Sequence, residues 1–228
     1  MFTPRQLMVN QPVSPPDAVQ VATLLQQLTG RGRNIADSRV IRAMTEVPRH
    51  EFVPENLREK AYGDSPLPVG FGQTISQPYV VAFMTQALRL KPTDRVLEIG
   101  VGCGYQTAVL SRLAARVYGM EIVESLAKQA TATLHRLGVA NATIRAGDGY
   151  LGWPEEAPFD AVLAACASDH VPLSWLEQLR PGGRMVLPMG DPVSGQDLWL
   201  LEKSCDSVSR RTILPVRFVP MTGEASRK

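Results

Sequence analysis

The sequence predicts an α/β domain built on a mostly parallel sheet, with an antiparallel edge and a helical addition at the amino end. Three observations predict this fold class: β-rich runs alternate with helical segments after residue 94, no helix separates the last two runs, and helical patterns precede the first run. Alternation of this kind covers a parallel sheet with helices on both faces. With 228 residues, the chain has the length of one domain and is too short for two catalytic domains.

Composition excludes several functional classes. The chain is 44% hydrophobic and 20% charged, and its formal net charge of +2 disfavours both a strongly basic nucleic-acid-binding protein and an acidic disordered chain. No run approaches the roughly 20 apolar residues of a membrane helix, and the first 20 residues lack the pattern of an export signal. We therefore expect neither a membrane nor a nucleic-acid partner. Cys103, Cys166 and Cys205 lack metal-ligand spacing, so we expect no metal and a reducing, cytoplasmic location.

The amino-terminal part predicts an irregular arm followed by two helices. Four prolines fall within residues 1–16, without a helical or strand period. Apolar residues recur at helical spacing over residues 17–28, which predicts the first helix. The second helix is predicted to begin at Ser38, as its cap, and to end before Pro48. The basic turn between the two helices, residues 31–33, is assigned no role.

The remaining elements are predicted from alternating β-rich and helical patterns. The β-rich runs are residues 95–99, 116–121, 142–146, 159–165, 184–189, 198–203 and 210–219. Helical patterns lie between the earlier runs, at residues 105–113, 123–137 and 171–179. The last two runs follow each other directly, so we expect them to add an antiparallel edge to the sheet.

A glycine-rich loop follows the first strong strand. Gly100, Gly102 and Gly104 stand at alternate positions before a helix, where glycines let the backbone approach a ligand and the helix presents free N–H groups. The spacing is GxGxG, whereas a dinucleotide site has GxGxxG. Glu98 in the preceding strand would repel a pyrophosphate but attract the ammonium and sulfonium charges of S-adenosylmethionine. Taken alone, the loop is also consistent with a tight turn that binds nothing.

Two further acidic residues strengthen the prediction of a cofactor site. Glu121 and Asp148 each follow a successive strand, near the edge where open α/β sheets bind ligands. A carboxylate at Glu121 can accept hydrogen bonds from both ribose hydroxyls, and one at Asp148 can accept from the adenine amine while Gly149 permits close approach. Either acid alone is typical of an ordinary surface. Their common register behind one glycine loop favours S-adenosylmethionine.

Residues 64–79, DSPLPVGFGQTISQPY, closely resemble the signature of protein-L-isoaspartate (D-aspartate) O-methyltransferases. The likeness covers about residues 35–223 and also includes VPRHEFVP, VLEIGVGCGYQTAVL, GDG, LRPGGRMVLPMG and VRFVPMTG, in that order. It implies a single Rossmann-like S-adenosylmethionine-dependent methyltransferase domain. The implied organisation is an arm and helix at 1–34, the methyltransferase domain at 35–223 and a tail at 224–228.

The resemblance also implies site residues. The family's GQTIS loop, which contacts cofactor and substrate, falls on Gln73, Thr74, Ile75 and Ser76, with Ser76 as the catalytic serine. The family's cofactor acids fall on Glu98, Glu121 and Asp148, and its threonine after the last strand falls on Thr222. From the residues alone, Thr74 and Ser76 are turn or cap residues before a helix at Gln77.

The implied reaction is methyl transfer from S-adenosylmethionine to the free carboxylate of L-isoaspartyl residues in damaged proteins or peptides, the expected partners. The resulting ester closes to a succinimide, which restores part of the normal linkage. The carboxylate is ionised at neutral pH and needs no general base, so catalysis is expected from placement of the reactants, with Ser76 as an orienting hydrogen-bond donor.

Residues 163–172, LAACASDHVP, depart from the family's Thr-Ala-Ala segment and leave alternatives open. The hydroxyl is missing, and Asp169 and His170 are added near the expected substrate mouth. A carboxyl O-methyltransferase with a different peptide or small-molecule acceptor fits this change. A non-catalytic cofactor-binding module is a separate alternative, and the intact GQTIS loop argues against it. We expect His170 to be a surface or substrate-rim histidine, because a carboxylate acceptor needs no base. Cys103, where the family has a small residue, is expected to pack as a small group.

Overall fold

The structure, a computed structural model, describes residues 16–191 and 193–223. The arm predicted for residues 1–16 lies almost wholly outside the described residues, and the tail at 224–228 lies wholly outside them. The α-helices are α1 (Ala18–Thr29), α2 (Ser38–Glu46), α3 (Pro78–Leu88), α4 (Tyr105–Ser111), α5 (Glu124–Arg136) and α6 (Leu173–Gln178). The strands are β1 (Leu67–Gly70), β2 (Gln73–Ile75), β3 (Arg95–Ile99), β4 (Arg116–Glu121), β5 (Ala142–Ala146), β6 (Phe159–Ala164), β7 (Leu179–Asp191), β8 (Gly195–Lys203) and β9 (Val208–Val216).

Seven of these strands form one sheet in the order β5-β4-β3-β6-β7-β8-β9. The pairs from β5 to β7 are parallel, whereas β7 with β8 and β8 with β9 are antiparallel. The predicted mostly parallel sheet with an antiparallel edge is therefore confirmed. The chain leaves β3 in one direction to build β4 and β5 and then returns to build β6 on the other side. Ligands of open α/β sheets bind at the carboxyl ends of strands beside such a reversal.

The centre of the sheet is buried on both faces, as the alternating pattern predicts. In β3, Val96 belongs to the hydrophobic cluster under α3 and α4, whereas Leu97 and Ile99 belong to the cluster under α6. Successive side chains of a strand point to opposite faces, so this central strand must be apolar on both sides. Glu98 is the exception: its side chain is on the Val96 side and is fully buried.

The helical addition at the amino end packs into the main core. Asp17 and Gln20 form a capping box at the start of α1, and Leu24 and Leu28 of that helix are fully buried in the same cluster as α2 and α3. The predicted cap of α2 is off by one residue: Asp37, not Ser38, is the N-cap, and its side chain accepts a hydrogen bond of 2.9 Å from the backbone N–H of Arg39.

Two differences concern strands. The hairpin of β1 and β2 was not predicted, because each strand is only three or four residues long and the turn between them is made by Gly70, Phe71 and Gly72, all at positive φ. Strand β7 begins at Leu179, earlier than the run at residues 184–189, because Leu179 pairs with Phe159 across a register shift. Within the described residues, no helix combines the length and apolar character needed to cross a membrane.

Candidate active site

A cavity of about 520 Å³ opens at the carboxyl ends of β3, β4 and β6. Three segments form its walls: the GQTIS loop, the glycine loop after β3, and residues 215–222 after β9. Nine of the predicted site residues line it, namely Gln73, Thr74, Ile75, Ser76, Gly100, Gly102, Glu121, Gly149 and Thr222. The other three, Glu98, Gly104 and Asp148, lie outside this lining. The sequence motifs are therefore brought together in one place, although they are spread over about 150 residues.

The glycine loop needs glycine at each of its three positions. Gly100, Gly102 and Gly104 have φ values of 80°, 57° and 89°, a left-handed region that other residues rarely adopt. A Cβ atom on Gly104 would lie 3.2 Å from the Cβ of Ala130, so this glycine also permits close packing of α4 against α5. A Cβ on Gly102 would meet no atom within 4 Å. Gly102 therefore leaves an open space on the cavity wall in which a ligand can approach the backbone.

Glu121 is held in a fixed position beside this loop. Its side chain is 5% exposed, and its Oε2 accepts a hydrogen bond of 2.7 Å from the N–H of Gly102. Its Oε1 accepts a second bond of 2.9 Å from the N–H of Val123. A carboxylate has about four acceptor positions, so lone pairs remain for ligand hydroxyls. The geometry fits the ribose of S-adenosylmethionine.

Glu98 lies behind the cavity wall and is fully buried. Neither of its carboxyl oxygens forms a hydrogen bond of ordinary geometry with a described residue, although the buried hydroxyl of Thr107 lies close enough to lower the pKa of this acid in part. Burial raises the pKa of Glu98 to about 8, and the nearby charge of Glu121 also raises it. Buried acceptors next to an acidic wall fit a ligand that carries positive charge. Direct contact of Glu98 with the cofactor stays a prediction.

Asp148 is enclosed by the carboxyl-terminal segment. Its Oδ1 accepts a hydrogen bond of 2.9 Å from the N–H of Tyr150, which caps a short 3-10 helix, Gly149–Leu151. Gly223 lies against the other carboxyl oxygen and has a φ of 90°. The acid therefore stands between the turn after β5 and the end of the described chain.

The GQTIS loop is carried by the β1–β2 hairpin. Leu67 pairs with Ile75 and Pro68 with Thr74, which brings the loop against the cavity. Ile75 is 3% exposed, so its side chain anchors the loop in the core. The next residue, Ser76, lines the cavity.

Four residues outside the predicted set form contacts beside this loop. The Nη2 of Arg49 donates a hydrogen bond of 2.7 Å to the carbonyl of Ser76. The Nε2 of Gln77 donates a bond of 2.9 Å to Asp64, which also forms an ion pair with Arg33. Arg49 lies in the VPRHEFVP motif and Asp64 begins the DSPLPVG stretch, so the family motifs contained this signal. Arg33 comes from the basic turn to which the sequence assigned no role.

The third wall is held in place by backbone hydrogen bonds. The N–H of Ala167 donates to the carbonyl of Val219 at 2.8 Å, and the N–H of Met221 donates to the carbonyl of Ala167 at 2.7 Å. Gln196 of β8 accepts from the N–H of Phe218 at 2.6 Å. These contacts tie residues 217–221 to β8 and to the segment that follows β6. Arg217 is the positively charged side chain of this wall, and no other described cation lines the cavity.

A family model described as protein-L-isoaspartate(D-aspartate) O-methyltransferase (PCMT) matches residues 19–226. The chain belongs to this family. A protein-L-isoaspartate O-methyltransferase of Opitutus terrae is 55% identical to it over 192 residues, which are 84% of this chain and 82% of that protein. A protein-L-isoaspartate O-methyltransferase 2 of a Polaromonas species is 50% identical over 204 residues, 89% of this chain and 97% of that protein.

Solved structures of protein-L-isoaspartate O-methyltransferases also match. One has a TM-score of 0.81 and 31% identity, and the match covers 90% of this chain and 67% of that one. Another, from Plasmodium falciparum, has a TM-score of 0.75 and 25% identity, with coverage of 88% of this chain and 97% of that one. The second structure contains S-adenosyl-L-homocysteine. The Rossmann-like methyltransferase fold is therefore confirmed.

The segment that departs from the pattern of protein-L-isoaspartate O-methyltransferases contributes to the cavity through Ala165 and Cys166. Asp169 and His170 do not line it. The Nδ1 of His170 forms a close contact with Asp169, and its Nε2 lies 2.9 Å from the hydroxyl of Tyr150. Because the imidazole is engaged in this way and stands outside the cavity, it is not positioned to accept a proton there.

The cysteine thiols of the cavity are poor nucleophiles. Burial raises the pKa of Cys103 to about 11 and that of Cys166 to about 12, so both are protonated at neutral pH. Cys103 lies in the glycine loop, where it packs as a small group. No group of three or more His, Cys, Asp or Glu suited to a metal occurs in the part of the chain that the structure describes.

Proposed function

We propose that this chain methylates the free carboxylate of L-isoaspartyl residues in damaged proteins or peptides, with S-adenosylmethionine as methyl donor. Membership of the protein-L-isoaspartate O-methyltransferase family carries the reaction. The convergence of the GQTIS loop, the glycine loop and the VRFVPMTG segment on one cavity supports the assignment of residues. The methyl ester then closes to a succinimide and so restores part of the normal aspartyl linkage. The three free cysteines favour a cytoplasmic location.

In this proposal, residues from several segments of the cavity wall hold the cofactor. Gly100, Gly102 and Gly104 bring the backbone close to it, and Glu121 accepts hydrogen bonds from the ribose hydroxyls. Asp148 and Gly149 receive the adenine. Glu98 ionises when the positively charged cofactor binds, and it then supplies negative charge behind the wall. The loop and carboxyl-terminal contacts come from Gln73, Thr74, Ile75, Ser76 and Thr222. When bound, S-adenosylmethionine would supply the methyl group from its sulfonium. The thioether that remains is S-adenosylhomocysteine.

The acceptor carboxylate needs placement rather than activation. Its pKa is near 3.9 in an ordinary aspartyl group, so it is ionised at neutral pH. No histidine lines the cavity within the described ranges, and the two thiols there are protonated. The hydroxyl of Ser76 can donate a hydrogen bond that orients the carboxylate. Correct placement of reacting groups can supply a large part of a rate enhancement.

A carboxyl O-methyltransferase with a different acceptor is the second candidate. Cys166 lines the cavity and belongs to the segment whose sequence is expected to depart from the family pattern, so a change there would act on the acceptor side. The cofactor side of the cavity is the same in both candidates. Acceptor choice alone distinguishes them.

The decisive experiment compares methyl incorporation into an isoaspartyl peptide and its normal aspartyl twin. The free carboxylate of the isoaspartyl form sits one methylene closer to the backbone, and a displacement of about 1 Å can cost about 100-fold in rate. We expect at least that preference for the isoaspartyl peptide. Equal rates would favour the different acceptor, whereas cofactor binding without transfer to either peptide would favour a non-catalytic binding module.

A further inference from the structure

Arg49 is a fully buried arginine at the back of the GQTIS loop. It opens the 3-10 helix Arg49–Phe52, and its side chain has no exposed surface. Its Nε donates a hydrogen bond of 2.7 Å to the carbonyl of Ala61, and its Nη2 donates one of 2.7 Å to the carbonyl of Ser76. Its guanidinium carbon lies 4.8 Å from the ring centre of Tyr105. The arginine therefore joins the amino-terminal addition to two residues of the cavity wall.

The charge of Arg49 is not neutralised by the described residues. It forms no ion pair with any of their carboxylates. Its two hydrogen bonds go to backbone carbonyls, and the Tyr105 side chain beside it is neutral. Burial lowers the pKa of this guanidinium, but the usual value for arginine is so high that the group stays charged at neutral pH. A buried charge without a partner is costly. Such a charge is best compensated by an anion that binds close to it.

The acceptor of the proposed reaction is such an anion. Ser76 and Tyr105 line the cavity, and both contact the guanidinium directly. We propose that Arg49 is a positioning and specificity-determining residue: it fixes Ser76 through its carbonyl, and its unneutralised charge selects an anionic acceptor. This inference rests on the proposed function, because it requires the acceptor to bind beside Ser76.

The placement behind the wall suits the chemistry. Methyl transfer joins a carboxylate to a methyl group on a sulfonium and gives a neutral ester and a neutral thioether, so the acceptor's negative charge is consumed in the step. A cation in direct contact with the carboxylate would stabilise the reactant and hold back the attacking oxygen. A cation that is separated from the cavity by one layer of residues attracts the acceptor without contacting the attacking oxygen. The charge of Arg49 should therefore act on acceptor affinity, and its hydrogen bond to Ser76 should act on turnover.

A pair of peptides tests the role of the charge. One carries the isoaspartyl carboxylate, and the other carries the carboxamide in its place, with nearly the same shape and no charge. Their dissociation constants are measured with S-adenosylhomocysteine bound, so that no turnover occurs. For the wild-type chain we expect the carboxylate peptide to bind at least about 10-fold more tightly.

Variants of Arg49 separate charge from hydrogen bonding. Arg49→Gln removes the charge but keeps a donor, and we expect the preference for the carboxylate to fall about 10-fold while the carboxamide peptide binds nearly as before. Arg49→Lys keeps the charge without the forked geometry, and we expect it to keep the preference but lower kcat. The control is Arg58→Gln. Arg58 lies on the next 3-10 helix, Glu55–Lys60, and its half-exposed guanidinium pairs with Glu51. This substitution should change none of these quantities.

The outcomes distinguish this inference from the proposed function. An unchanged preference in Arg49→Gln would leave selection of the anion to Arg217, which lines the cavity, and would overturn the role of Arg49. No preference in the wild type would overturn it as well. In both cases methylation of the isoaspartyl peptide would still stand. A wild-type chain that neither binds nor methylates that peptide would overturn both. Should Arg49→Gln fail to bind S-adenosylhomocysteine, Arg49→Lys decides, since loss of the preference in a folded variant with its charge intact contradicts the proposal.

Discussion

A Cβ atom on Gly223 would lie 2.4 Å from Oδ2 of Asp148. Real Cβ atoms do not approach another atom so closely, and the φ of 90° at Gly223 is in any case unfavourable for other residues. A larger residue at this position would strain the backbone and displace either the Asp148 carboxylate or the carboxyl-terminal segment. Gly223 thus sets the position of the proposed adenine acceptor, although it lies outside the predicted site residues.

Gly223→Ala should weaken cofactor binding by about 10-fold, because the added methyl group must push either the carboxyl-terminal segment or the Asp148 carboxylate away. Calorimetric titration with S-adenosylhomocysteine measures the effect. Gly32→Ala is the matched control, since Gly32 has a similar φ of 80° but its Cβ would meet no atom within 4 Å. Wild-type affinity in Gly223→Ala would show that Asp148 does not depend on this contact.

Glu121→Ala should weaken binding of S-adenosylmethionine by about 10- to 100-fold, since it removes a charged acceptor worth about 1.5–3 kcal/mol. The loss includes the bond to the N–H of Gly102, so the glycine loop should become less ordered as well. Titration calorimetry again gives the dissociation constant. Glu124→Ala, which removes only an exposed pair with Lys128, is the control. Identical dissociation constants for Glu121→Ala and the parent would remove Glu121 from the site.

Ser76→Ala should lower kcat for an isoaspartyl peptide by about 10- to 100-fold, and it should change cofactor affinity far less, because the hydroxyl orients the acceptor. Steady-state kinetics at saturating peptide give kcat, and titration gives the affinity. Ser111→Ala is a suitable control, since the hydroxyl of Ser111 bonds to the carbonyl of Ala108 within α4 and does not line the cavity. Unchanged turnover in Ser76→Ala would contradict the orienting role.

Binding of S-adenosylmethionine should depend on pH through Glu98. Its folded pKa is raised to about 8, so at pH 7 the acid is mostly protonated, and a bound cation favours the carboxylate. Affinity should therefore rise with pH up to about 8 and then level off, with proton release on binding at pH 7. Calorimetry in two buffers of different ionisation enthalpy measures the number of protons released on binding. Glu98→Gln should lose this component of the release, and equal release in both proteins would contradict the assignment.

The same pKa has a consequence for folding stability. A carboxyl group whose folded pKa lies above its unfolded value of 4.5 binds more protons in the folded state, so its contribution to stability decreases as pH rises from about 4.5 to 8. Thermal unfolding gives the Tm of the wild type and of Glu98→Gln across this range. The difference between the two Tm values should change as pH increases, because only the wild type carries this titrating group. A Tm difference that stays constant over this pH range would mean that Glu98 is not protonated in the folded chain.

The strands with the clearest local sequence pattern were predicted best. The β-rich runs at residues 95–99 and 116–121 coincide with β3 and β4, because buried strands of a parallel sheet are locally apolar. The run at residues 142–146 coincides with β5, an edge strand without buried residues. The hairpin of β1 and β2 was missed, because its short strands have no extended alternation and its turn includes Phe71 at a positive φ. Such a conformation depends on surrounding contacts more than on the local sequence.

By itself, the sequence determined the alternation of strands and helices, the glycine loop after β3 and the acids that follow successive strands, because all of these depend on spacing along the chain. The family motifs added the GQTIS loop. Only the tertiary structure decided that Arg49 supports Ser76, that Gly223 closes on Asp148, and that Glu98 is fully buried behind the wall. Burial and pairing of polar groups depend on which distant segments pack together, and no local pattern specifies those neighbours.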